Sequence, residues 1–133
     1  MSDIMVPISP GELLDKITIL RIKQERMRDP AKLANVRLEL ELLEQTWRRA
    51  GGTAEEADER ALRRVNETLW DIEDRIRAKE STQNFDAEFI ELARAVYLTN
   101  DERAAIKRRI NLALGSRILE EKSYAAYRPR AED

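Results

Sequence analysis

Apolar residues in this chain return every three or four positions, and that period belongs to helices that pack along a stripe rather than to strands, which alternate by two. In the first such stretch Leu13, Ile17, Leu20, Gln24 and Met27 step by four and three in turn. Leu33, Val36, Leu40, Leu43 and Trp47 repeat the pattern, and Leu62, Val65, Leu69, Ile72 and Ile76 form a third seam. Phe89, Leu92, Ala93 and Val96 begin a fourth. The fold class that follows is all-α: an antiparallel long-helix hairpin plus further helices forming a bundle.

Local signals place the helix ends. In "SPGE" Ser9 is a helix cap, Pro10 suits the first helical position and Glu12 completes a capping box, so the first helix is expected from there to about Arg28. Asp29 and Pro30 do the same for the second helix, which ends at "AGGT", where Gly51 or Gly52 supplies the left-handed residue. Thr53 to Glu56 reads as another capping box, and the third helix is expected to be the longest, to about Glu80. Asp86 caps the fourth, with Phe85 and Ile90 placed for a hydrophobic staple. That helix either stops near Tyr97 or runs on with a kink, because Thr99 to Glu102 looks like a fresh start leading to Gly115. "SRILEEKSYAAY" is expected to add a short helix, and "IMVPI" (Ile4 to Ile8) to lie extended along a groove. Residues 1–127 then make one helical-bundle domain, and 128–133 a frayed tail.

Two of these helices carry more than one apolar face. Ile19 and Ile22 lie opposite the first seam, and Leu38 and Leu42 form a second strip on the second helix. A hairpin buries one side of each, so the chain is expected to form a homo-oligomer unless later helices cover the rest.

Composition removes whole classes of chemistry. The 133 residues include no histidine and no cysteine. A Ser-His-Asp triad, a thiolate nucleophile, a disulfide and a zinc site of the usual ligands are therefore ruled out. No calcium-type loop is evident, and no metal or cofactor is expected. With 24 basic and 26 acidic side chains mixed along the chain, no basic stripe points to nucleic acid. No membrane span and no secretory signal are evident, and a cytoplasmic protein is the expectation.

What remains is a set of charges at the edge of the core. In "VYLTNDERAAIKRRINLALGS" Arg103 shares a direction, within about 20°, with Ile110 and Leu114, with Lys107 on the border and Asn111 further round. On the third helix Glu73 and Glu80 point as Leu62 does. One reading is structural: Arg103 and Lys107 pair with Glu73 and Glu80. The other is a site in which Arg103 and Lys107 clamp a small anionic ligand, with Arg77, Arg94 or Lys122 adding charge and Asn100 and Asn111 orienting it. Tyr97, Tyr124 and Tyr127 are expected to seal the bundle end, and Trp47 and Trp70 to anchor the core or an interface. Asp15 and Lys16 mark either a polar spot near the start of the first helix or, as is commoner for such a pair, solvated surface.

The string "ISPGELLDKITILRIKQERMRDPAKLANVRLELELLE", with "LWDIEDRIRAKE", "FIELARAVYLTNDERAAIKRRIN" and "GSRILEEKSYAAY", resembles a family of small bacterial proteins of unknown function, from about Ile8 to Tyr127. That resemblance implies a bacterial origin, a single helical domain and an association with cell-surface polysaccharide genes. It supplies no catalytic residues. The long helices and Arg-rich core edge are also similar to a helical chorismate mutase, in architecture and residue type but in no motif. Two functions lead: a non-enzymatic assembly module with a protein partner, or a small enzyme or sensor for an anionic metabolite; a nucleic-acid or anionic-surface binder is a third, weaker reading.

Overall fold

A computed structural model describes residues 1–127; the expectation for 128–133 lies outside them. Among the described residues there are four helices and no strand: α1 (Pro10–Arg26), α2 (Pro30–Arg49), α3 (Glu56–Ser81) and α4 (Ala87–Ala113). The all-α bundle read from the sequence is the observed architecture.

The first helix is the centre of the bundle. It packs against each of the other three, whereas α2 packs on α1 alone and α3 pairs with α4. Ser9 caps α1 by accepting the Glu12 amide at 3.2 Å, and Pro10 occupies the first turn. The chain leaves the helix at Met27, and Asp29 caps α2 through the amides of Ala31 and Lys32. That short connection folds α2 back along α1. Leu13, Ile17 and Leu20 meet Val36 and Leu40 in one apolar cluster, with Met27, Leu43 and Trp47 against it. On the other face of α1, Leu14 joins Leu62 and Val65 of α3 and Ile106 and Ile110 of α4.

Several expected details change. Gly51 takes the left-handed conformation after α2 (φ +67°), but Thr53 caps nothing. The residue before α3 is Glu55, without a side-chain cap, and Glu56, Asp58 and Glu59 set negative charge against the helix's positive end instead. No break occurs at Thr99. Nothing in the segment interrupts the backbone ladder, Thr99 itself is buried, and α4 runs through as a 27-residue helix, one residue longer than α3. The staple is also different: Asp86 caps α4, Phe85 stacks edge-on with Phe89, and Ile90 stays exposed.

The two ends of the chain depart furthest from expectation. Ile4, Met5 and Val6 are exposed, because α2 on one side and α3 with α4 on the other already fill the grooves of α1. The segment after Gly115 (φ +68°) is not helical. It runs back beside α4 as an extended strap, held by Arg108–Glu121 at 3.1 Å, Lys107–Glu120 at 3.2 Å and the rings of Tyr97 and Tyr127, 5.2 Å apart. Ion pairs to α4 replace the internal ladder a helix would have made. Tyr124 is exposed and seals nothing. Trp47 packs against both apolar clusters, and the Arg26 guanidinium lies 5.7 Å from the Trp70 ring.

Candidate functional site

The polar centre of the molecule forms where the start of α1 meets the second half of α4. Gly11 is buried there, and its amide donates to Asn111 Oδ1 at 2.7 Å. A Cβ at this position would stand 2.5 Å from the Lys107 carbonyl oxygen and 2.7 Å from Asn111 Oδ1. Only glycine allows the two backbones this close. Asn111, itself buried, satisfies one of the free amides of the first turn of α1.

One turn further along α1 lies Asp15, wholly buried. Its carboxylate is shared by two helices. Asn66 of α3 donates to Oδ1 at 2.9 Å. Arg103 of α4 donates through Nε to Oδ1 and Oδ2, at 3.0 and 3.1 Å, and through Nη2 to Oδ2. This is the forked geometry that guanidinium and carboxylate favour. The Asp15 hydrogen bond raises the Arg103 pKa, with burial opposing it. Arg103 keeps 28% of its side chain accessible, against 1% for Asp15.

Lys107 stands one turn beyond Arg103. Its ammonium lies 2.6 Å from Glu12, 3.2 Å from Glu120 of the strap and 3.9 Å from Asp15. Burial lowers its pKa, but the Glu12 hydrogen bond and the fields of Asp15 and Glu12 outweigh it, so the net direction is up. Between the start of α1, the middle of α4 and the strap runs a polar cleft of about 250 Å³, lined by Glu12, Asn100, Arg103, Lys107, Glu120 and Lys122.

Residues 4–130 match the family of unknown function DUF6165. The chain belongs to that family. The match spans nearly the whole sequence, and the family's description states no activity. The chain matches no curated protein and no solved structure.

The structure brings together Asn100, Arg103, Lys107 and Lys122, with Asn111 one turn below. It does not bring Arg77 or Arg94 to them. Arg77 is exposed on α3 and pairs with Glu73 at 2.9 Å, the i,i+4 contact its spacing favours. Arg94 is exposed on α4. The expected partners Glu73 and Glu80 are also wrong: both are exposed, and Arg103 pairs with Asp15 instead. The cause is height along the bundle. Arg109–Asp58 near one end of the α3–α4 pair, and Arg75–Glu88 and Lys79–Asp86 near the other, fix its antiparallel register. Arg103 then stands level with residues 60 to 64 of α3. Glu73 is about 14–20 Å too far along at 1.5 Å per residue, and Glu80 further still.

Asp15, for which solvated surface was the commoner of two sequence readings, is buried and organises the site. A signal for it existed. On the α1 wheel Asp15 lies within about 20° of Ile22 and 40° of Gly11, on the second apolar face. A glycine in the second position of a helix is a further sign of close approach. Asn66 and Glu120 carried no such mark. Among the described residues no group of three metal-binding side chains occurs, and no helix is long and apolar enough to cross a membrane.

Proposed function

We propose that this protein is a non-enzymatic helical assembly module that self-associates through the outer face of α2. The observation that carries this reading is the one-sided packing of α2: it rests on α1 alone and turns Leu38 and Leu42 outward, 60% and 44% exposed. The core charges weigh on the same side. Arg103 is met by Asp15 and Lys107 by Glu12, Asp15 and Glu120. Charges already neutralised from within suit a scaffold better than a catalyst, whose groups aim at charge that develops in a substrate.

The occupant of the α2 face is a second copy of the chain. Leu38 and Leu42 are one turn apart, so two α2 helices laid antiparallel about a two-fold axis between them set Leu38 of each copy against Leu42 of the other. The same operation leaves Glu41 of one copy two residues, about 3 Å along the axis, from Arg37 of the other. Neither makes an ion pair among the described residues. Such a patch is complementary to itself, as a two-fold interface requires. Its setting under this reading is the bacterial cytoplasm, in service of cell-surface polysaccharide synthesis through a protein partner; the support for that part is the sequence resemblance alone.

Light scattering behind size-exclusion chromatography tests the reading. The expected mass is twice the 15.5 kDa of one chain. Leu38→Glu with Leu42→Glu should return it to one chain that keeps its helical circular dichroism, because both side chains face solvent in the single chain. A native chain that runs as a monomer at its highest soluble concentration rejects the reading.

A further inference from the structure

Lys107 is held by three carboxylates that are not equivalent. Glu12 and Asp15 come from α1, inside the bundle, and Glu12 makes the shortest contact. Glu120 comes from the strap, is about half exposed, and reaches Lys107 at 3.2 Å. The strap has no helix of its own. Its other ion pair, Arg108–Glu121, is solvent-exposed on both sides, and such pairs hold weakly.

The cleft beneath the strap has donors to spare. Arg103 engages Asp15 through Nε and Nη2, which leaves Nη1 without a partner among the described residues. Lys122 makes no ion pair among them; its ammonium lies 5.8 Å from the Tyr124 ring. Asn100 also lines the cleft, and its side chain hydrogen-bonds to nothing described. With Glu120 in place, Arg103, Lys107 and Lys122 are balanced by Glu12, Asp15 and Glu120. With Glu120 withdrawn, one positive charge is left over.

We propose that this cleft binds a small monoanionic hydroxycarboxylate, whose place on Lys107 is held by Glu120 until the strap lifts. The ligand carboxylate replaces that of Glu120 and restores the charge balance. Lys122 and the free nitrogen of Arg103 supply further donors, and Asn100 meets a hydroxyl. The fixed carboxylates of Glu12 and Asp15 stand against a dianion, which favours a monocarboxylate over the dianionic form of phosphate. At about 250 Å³ the cleft falls below the usual size of a drug-sized site, so the ligand is short. The site lies on α1, α4 and the strap, apart from the α2 face, and stands whether or not the chain dimerises.

The test uses the full chain, lactate as the probe and inorganic phosphate as the comparison, followed by amide chemical shifts. Glu120→Ala removes the internal competitor at an exposed position. A strap closed nine times in ten lowers apparent affinity about tenfold, so the variant should bind lactate about tenfold more tightly than the native chain. The shifts should centre on Asn100 and Lys107. Lys122→Gln, a surface change, should weaken lactate binding in the Glu120→Ala background. Lactate affinity unchanged by Glu120→Ala overturns the stand-in role, and phosphate bound as tightly as lactate overturns the ligand class. Indifference to Lys122→Gln removes the cleft as the site.

Discussion

The two faces of α1 solve the same packing problem in opposite ways. Against α2 the seam is dry: Leu13, Ile17 and Leu20 meet Val36 and Leu40, with no buried charge between them. Against α3 and α4 the apolar cluster of Leu14, Leu62, Val65, Ile106 and Ile110 is interrupted by Asp15, Asn66, Arg103 and Asn111. An apolar seam tolerates sliding by a turn, because leucine packs against leucine at many registers. A buried carboxylate shared by an arginine and an asparagine from two other helices tolerates one register only. The dry face supplies area, and the polar face fixes where along their lengths three helices meet.

The largest expected effect comes from the polar side. Asp15→Ala strands the Arg103 guanidinium and the Asn66 amide in the core, and urea unfolding should show a loss of about 3–5 kcal/mol. Replacing Asp15 with Leu and Arg103 with Met together should recover much of that, since the cost lies in the orphaned partner more than in the missing attraction. A loss below about 1 kcal/mol for the single change, the usual worth of a surface pair, would mean that water reaches the junction and that the contrast between the faces is false.

On the dry side the expected effect is smaller and of another kind. Leu40 is buried against α1, but α2 has solvent on its other face and room to settle. Leu40→Ala should cost about 2–3 kcal/mol, toward the low end for a buried leucine, and no second substitution should restore it as Arg103→Met restores Asp15. A loss above that of Asp15→Ala would put the weight of the fold on the α1–α2 seam.

The same contrast explains what was legible in the sequence. Val36, Leu40, Leu62, Val65 and Ile72 could be assigned to the core from spacing alone, because periodicity is a property of one helix and burial follows from it. Arg103 could be placed at the core edge for the same reason. Its partner could not, because pairing depends on the relative height of two helices. That height is fixed by contacts such as Arg109–Asp58, distant in sequence and repeated in type by many other charges. The strap was misread for a related reason. "SRILEEKSY" has the composition of a helix, but its Glu120 and Glu121 are spent on Lys107 and Arg108, and tertiary ion pairs outweigh a weak local preference.

The smallest effect is a pH dependence confined to the polar side. Two influences act against each other on Lys107: burial lowers its pKa, and Glu12, Asp15 and Glu120 raise it, with the net direction up. A lysine whose pKa is higher folded than unfolded adds stability that is fully present below the unfolded value. That stability disappears as pH rises through the folded value. The window therefore opens above about pH 10.4, the ordinary lysine value. Arg103 does not titrate there, so the Asp15 pair stays charged and the change isolates Lys107. Melting temperatures of the native chain and Lys107→Met, compared from about pH 8 upward, should differ by a constant amount to about pH 10 and converge above it. The difference cancels every group that the two proteins share. Convergence already near pH 8 would mean that burial prevails, that the ammonium is held against its preference, and that the carboxylates around it stabilise the junction less than their distances imply.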